Sequence, residues 1–192
     1  MDEEAPWLIV GLGNPGPEYE LTRHNVGFLV ADVVAARMGA RFTRHKKASA
    51  MSAEGRIAGQ KLIVIKPLSF MNASGGPVKS LAAFFKIPLD HLIAVHDELD
   101  LPFAALRVKM GGGDNGHNGL KSIRSAFDSG EFLRIRAGIG RPPGQQDPAN
   151  FVLKPWSTAE RKDLGVFVEE CADAIETLIS KGLEAAQNAH NS

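Results

Sequence analysis

The chain has 192 residues, with Lys plus Arg and Asp plus Glu equal at 22 each and a single cysteine, Cys171. The length suits one domain with a sizeable core. The balanced charge excludes a protein that coats nucleic acid through its global field, and the lone cysteine excludes an intrachain disulfide. The acidic start "MDEEAPW" has the wrong charge for a signal or transit peptide. No apolar run approaches the roughly 18 residues that span a bilayer. A soluble cytoplasmic protein is the expectation.

In chain order, Trp7 to Leu12 is a short apolar run that predicts a buried strand. Gly11, Gly13 and Gly16 follow it as G-x-G-x-x-G. Val26, Leu29/Val30, Val33/Val34 and Met38 then recur at helical spacing, with Thr22 as a candidate N-cap and Gly39 as a stop. Residues 61–67 and 91–99 predict two further buried strands. The helix between them tolerates Pro77 near its start. Residues 106–110 read as a shorter strand, "GGGDNGHNG" as a loop and "LKSIRSAF" as a helix. "FLRIRAGIG" alternates apolar and charged residues, which predicts a strand with one wet face. "RPPGQQDPANFVLKP" reads as a surface loop or lid. Ser157 and Glu160 form a capping box that opens an amphipathic helix running to about Lys181. Alternating strands and helices predict an α/β class with a largely parallel central sheet. No internal repeat or linker divides the chain.

The glycine motif is the literal dinucleotide fingerprint, but its surroundings argue against that reading. Pro15 and Pro17 lack the N–H groups a pyrophosphate needs, and the helical pattern starts only near Thr22. No acidic residue ends a second strand at the required distance. There is no P-loop and no nucleophile elbow, and the six histidines show no metal-ligand spacing. Cys171 sits in an amphipathic pattern and reads as core.

What remains is a set of polar residues at strand ends and glycine-rich turns: Asn14, His24, Asn72, Asp97 and Asn118. In an open α/β sheet the carboxyl ends of strands converge on one crevice. Histidine can take a proton from water near neutral pH. Aspartate can fix the imidazole tautomer, and asparagine amides can place water or donate to an oxyanion. These residues point to a hydrolytic cleft with a water nucleophile and leave the substrate open.

Five motifs in order, "VGLGNPGPEYELTRHNVGF", "KPLSFMNASGG", "HDELDLP", "GGGDNGHNGLKSI" and "RIRAGIGRPPG", resemble the series of bacterial peptidyl-tRNA hydrolases. The resemblance covers roughly residues 8 to 154. It implies a monomeric single α/β domain over residues 1–192, with a mixed, mostly parallel twisted sheet flanked by helices. It implies cleavage of the ester between a peptide and the 3′-terminal ribose of tRNA, with no metal, cofactor or membrane. By motif, His24 is then the general base and Asp97 its partner. Asn72 positions peptide and water, Asn14 and Asn118 bind substrate, and Tyr19 and Met71 form cleft walls. Lys109 and Arg136 match the positions that hold the tRNA 5′-phosphate. With Lys121, Arg124 and Arg134 they suffice in number for a local phosphate patch, although Lys121 and Arg124 individually read better as solvated surface charge. Asn115, beside Asp114, replaces a common glycine, which bears on loop flexibility. Some chloroplast splicing factors resemble the same family and use the fold as a non-catalytic RNA-binding module. Retention of His24, Asn72 and Asp97 favours the enzyme.

Overall fold

The computed structural model describes residues 4–191, so the first three residues of the acidic N-terminal stretch lie outside it. The strands in chain order are β1 (Trp7–Gly11), β2 (Thr43–Arg44), β3 (Ala50–Ile57), β4 (Gln60–Pro67), β5 (Leu92–Glu98), β6 (Leu106–Met110) and β7 (Leu133–Gly138). The helices are α1 (Val26–Arg37), α2 (Gly75–Phe84), α3 (Asn118–Phe127), α4 (Pro148–Val152), α5 (Thr158–Lys181) and α6 (Leu183–His190). One seven-stranded sheet runs in the order β2-β3-β4-β1-β5-β7-β6. Its four central strands are mutually parallel, and the outer pairings are antiparallel. The central strands are the near-continuous apolar runs, as expected of parallel strands covered on both faces. Alternate residues serve opposite layers. Ile9 packs with α1 and α5, whereas Leu8 and Val10 pack with α2 and α3.

Glycines bring β1 and α1 unusually close. A Cβ on Gly11 would lie 2.4 Å from the Gly27 carbonyl oxygen, and one on Gly27 would lie 2.5 Å from Leu12 N and Val95 O. The glycine motif therefore serves strand–helix packing, and α1 begins only at Val26.

Four local expectations change. Thr22 does not cap with its side chain; its hydroxyl donates to Tyr19 O, and a 3₁₀ turn over Arg23–Asn25 precedes α1. The face of β7 expected to be wet is only partly so, because Arg134 is 3% exposed beneath the glycine-rich loop while Arg136 is half-buried; the full alternation belongs to β6. The stretch 141–155 contains α4, with Asp147 as its N-cap and Phe151 buried. The helix α3 starts earlier than its apolar spacing suggests, because the His117 side chain caps it. The capping box of α5 is present in both directions. At the other sheet edge, α6 lies along β6. There Asn191 Oδ1 accepts from Val108 N at 2.7 Å, and Gln187 donates to Val108 O at 3.2 Å.

Candidate active site

The close β1–α1 contact presses the 3₁₀ turn that carries His24 against the end of β5. There His24 Nδ1 lies 2.8 Å from Asp97 Oδ2. The other carboxylate oxygen, Oδ1, is 2.8 Å from His117 Nε2. His117 Nδ1 accepts backbone N–H groups from Gly119 and Leu120 at the start of α3. That acceptor role assigns the His117 proton to Nε2, where it is donated to Asp97. Asp97, 4% exposed, is thus held at both oxygens. His24 donates its Nδ1–H, so its Nε2 is the unprotonated nitrogen.

The electrostatics follow from this geometry. Burial pulls the His24 pKa down, but the charge and hydrogen bond of Asp97 together overcome it and leave the ring above the ordinary histidine value. Burial works to raise the Asp97 pKa, and the two histidines outweigh it, holding the carboxyl well below the usual carboxylate range. His96 is different. Burial and the neighbouring His117 push it down to about 3, so its ring is neutral. It donates from Nδ1 to the Asp97 carbonyl, and its Nε2 is buried with no hydrogen-bond partner among the described residues.

A cleft of about 380 Å³ opens beside this triad. His24, Asp97, Asn14, Asn72, Asn118 and Met71, all singled out from sequence, line it, and so does His117. Asn14 is fixed on every side but one. Its backbone exchanges hydrogen bonds with the Asn25 amide at 2.8 and 2.9 Å, and its Oδ1 accepts from Met71 N at 2.7 Å. The Asn14 Nδ2 donor has no partner among the described residues. Asn72 and Asn118 are exposed on the rim. Phe70, Leu99, Val152 and Leu153 make the apolar wall, the last two from α4 and just beyond it. Tyr19 is not part of this lining; it packs edge-on against Phe70 at 6.2 Å.

Three of the five cations named from sequence lie in a second, polar cavity of about 420 Å³, which shares Glu98 and Asn115 with the cleft. Lys109, Arg134 and Arg136 line it, with His96 at its floor. Of these three, only Lys109 is both exposed and without an ion pair among the described residues. Arg136 gives Nε and Nη2 to the same oxygen, Glu98 Oε1, at 3.1 and 3.0 Å. Arg134 is committed to backbone carbonyls: Gly112 at 2.8 Å and Gly113 in the glycine-rich loop, and Gly130 at 3.0 Å in the turn before β7. Arg124 pairs with Asp114, and Lys121 lies in a separate groove. The five cations do not form one continuous patch.

His24, Asp97 and His117 offer three ligand atoms within 4.8 Å of one another, a grouping that chain spacing alone hides. The nitrogens that face Asp97, His24 Nδ1 and His117 Nε2, carry the protons of the bonds to it. A metal ion bound through those two nitrogens would have to displace both protons. The arrangement suits proton handling better than metal ligation.

Sequence reasoning passed over His117 and Glu98. Both stand inside quoted motifs, but His117 looked like one more loop residue. The available signal was a histidine one position before a helix start, where its imidazole can cap.

A family model described as "Peptidyl-tRNA hydrolase" matches residues 8–192. The peptidyl-tRNA hydrolase of Nocardia farcinica is 61% identical over 184 residues, covering 96% of this chain and 95% of the relative. That of Streptomyces coelicolor is 57% identical, covering 100% and 98%. The crystal structure of peptidyl-tRNA hydrolase from Acinetobacter baumannii superimposes with a TM-score of 0.92 at 32% identity, covering 100% of this chain and 97% of that one.

Proposed function

The chain belongs to the peptidyl-tRNA hydrolase family, and we infer from that premise that it hydrolyses the ester joining a peptide to the 3′-terminal ribose of tRNA. The observation that carries a mechanism is the 2.8 Å contact from His24 Nδ1 to a buried, doubly held Asp97. A non-catalytic RNA-binding module has no need of a carboxylate buried between two imidazoles, since each buried charge must be compensated to persist.

In this reading the peptide ester lies in the cleft with its carbonyl beside Asn14. A water held by Asn72 and Asn118 attacks the acyl carbon as His24 Nε2 takes its proton. Asp97 stabilises the resulting imidazolium, and His117 keeps the carboxylate from turning away. Asn14 Nδ2 donates to the developing oxyanion. When the tetrahedral intermediate collapses, the bond from the acyl carbon to the ribose oxygen breaks, and the imidazolium returns the proton to that oxygen. The products are tRNA with a free 3′-terminal ribose and the peptide carboxylic acid, which gives its proton to solvent and leaves as the carboxylate. An alkoxide is a better leaving group than an amide nitrogen, so no covalent enzyme intermediate is required. The apolar wall of Phe70, Leu99 and Val152 accommodates peptide side chains. Lys109 and Arg136 receive the 5′-phosphate, and the protein works as a monomer without a metal ion.

The test is release of free N-blocked amino acid from N-blocked aminoacyl-tRNA. Wild-type protein releases it, and EDTA leaves the rate unchanged. His24→Ala lowers kcat by about 10²–10⁴-fold while tRNA still binds. Activity of His24→Ala within about tenfold of wild type would remove His24 from the role of base.

A further inference from the structure

Charge is spread unevenly along a chain whose total is zero. Between Asp32 and Glu54 lie five cations, Arg37, Arg41, Arg44, Lys46 and Lys47, and no acidic residue. Arg37 is neutralised by Glu169, Asp173 and Glu176 of α5. The other four are exposed, and none has an ion pair among the described residues. The two acids that bound the stretch have partners elsewhere: Asp32 holds Lys66 at 2.6 Å, and Glu54 lies 3.9 Å from Lys61. The free cations flank β2, the edge strand of the sheet. Aromatic surface adjoins them. His45 packs edge-on against Phe84 and Phe85, with ring centroids 4.8 and 5.8 Å away. Phe84, at the end of α2, is 53% exposed. His45 Nδ1 accepts from Lys47 N at 3.0 Å, which puts the imidazole N–H at Nε2. Cations on an edge strand guard it against unwanted pairing. That accounts for Arg44 but not for Lys46 and Lys47 in the loop beyond it, nor for a large aromatic ring left in solvent.

We propose that this corner of the molecule is a second nucleic-acid surface, which holds a single-stranded RNA segment by its phosphates on Arg44, Lys46 and Lys47 and by a base stacked on Phe84. Cations that follow a backbone beside an exposed aromatic ring grip single strands without reading their sequence. The segment is distinct from the acceptor end of the substrate. The strands β2 and β6 form opposite edges of the sheet. Six strand spacings of about 4.8 Å, roughly 29 Å in all, therefore separate this corner from Lys109 on β6. Leu68 N donates to Ser49 O at 2.9 Å, which ties the basic loop to the chain just after β4. That is the end of the sheet where Met71 and the cleft lie, so the loop stands on the far side of the cleft from Lys109. An RNA held here stays clear of a tRNA whose 5′-phosphate lies in the outer cavity. The protein can remain on one RNA through this corner while tRNA enters and leaves the cleft.

The probe is a short single-stranded RNA of mixed sequence, labelled at its 3′ end and lacking a 5′-phosphate, followed by fluorescence anisotropy across a salt series. Wild type binds it with an affinity that falls as salt rises. Arg44→Ala/Lys46→Ala/Lys47→Ala weakens binding about tenfold or more at low salt and removes about two units of log–log salt slope, since each phosphate contact on a single strand contributes about 0.7. Phe84→Ala weakens binding several-fold with the slope unchanged, because stacking releases no counterions. Lys109→Ala/Arg136→Ala leaves the Kd for this RNA unchanged. The triple variant and Phe84→Ala keep wild-type kcat and KM on N-blocked aminoacyl-tRNA, which also shows that they are folded. Wild type that does not bind the RNA, wild-type affinity in the triple variant or in Phe84→Ala, or a loss that follows Lys109 and Arg136 instead, overturns the proposal and leaves the hydrolase reading intact. A triple variant with raised KM or lowered kcat assigns the corner to the substrate tRNA, and that too overturns a separate surface. Binding to phosphatidylglycerol vesicles in place of the RNA assigns it to an anionic membrane and overturns it as well. Wild type that binds the RNA but hydrolyses nothing overturns the function and not this surface.

Discussion

At the scale of single residues, the site turns on how Asp97 is shared. Its charge is what lifts the His24 pKa against burial. A general base works only unprotonated, so the acid limb of kcat/KM should fall at a pH above the ordinary histidine value. Asp97→Asn removes the charge and leaves burial unopposed. The expected outcome is a lower plateau rate and an acid limb displaced to lower pH. A pH–rate profile of both proteins checks it, and an unshifted limb would mean that His24 is not the titrating base. Asn14, His24, Asn72, Asp97 and Asn118 were legible in the sequence because strand-end polar residues of an α/β sheet converge. His117 was not, because its role needs two facts absent from local sequence: that its imidazole caps α3, and that the cap aims Nε2 at Asp97. The grouping of the two rings and the carboxylate is likewise tertiary, as His24 and Asp97 are 73 positions apart.

Elements rather than residues decide where His24 sits. Its neighbour Arg23 is buried and ties three segments together. Its Nη2 meets Glu160 Oε1 at 2.9 Å, its Nη1 donates to Phe151 O at 3.2 Å, and its guanidinium lies 4.0 Å over the Phe151 ring. Glu160 also closes the capping box of α5 through Ser157 N at 2.8 Å. The start of α5, the short helix α4 and the turn that carries His24 are thus one unit. Glu160→Ala strands a buried guanidinium and opens the cap, so it should cost about 3 kcal/mol or more in chemical denaturation. It should also lower kcat, because the turn carrying His24 loses its anchor. Ser157→Ala leaves the ion pair in place and should cost only about 1 kcal/mol with kcat near wild type; equal kcat losses in the two variants would separate the ion pair from catalysis. The long helix and the central strands were readable because their patterns are strong. The strand β3 was not, since Ser52, Glu54, Gly55 and Arg56 interrupt its apolar pattern, and it exists through eight register partners on β4. The wet face expected of β7 is wet only at Arg136, for a related reason: Arg134 finds carbonyls to bind, and its burial is a property of the loop above it.

For the whole molecule, neutrality has a measurable meaning. With no global positive field, tRNA affinity must depend on few phosphate contacts, so the salt dependence of KM should be shallow. Lys109→Ala and Arg136→Ala should each raise KM modestly, and each should remove about one unit of log–log salt slope. A salt series on both variants checks it, and a double variant with an unchanged slope would place the phosphate contacts elsewhere. The C-terminal helix shapes the molecule in another way. A sheet edge is a template on which any passing extended segment can add itself, and a hydrolase that handles peptides holds such segments close by. On β6 that invitation is withdrawn at Val108, whose N–H and C=O are both taken by side chains of the last turn and terminus, Asn191 and Gln187. Removing residues 183–192 should therefore leave the catalytic cleft assembled but restore a sticky border. Sedimentation of the truncated protein should show concentration-dependent self-association that the full chain lacks, and the aggregates should grow faster as unstructured peptide is supplied.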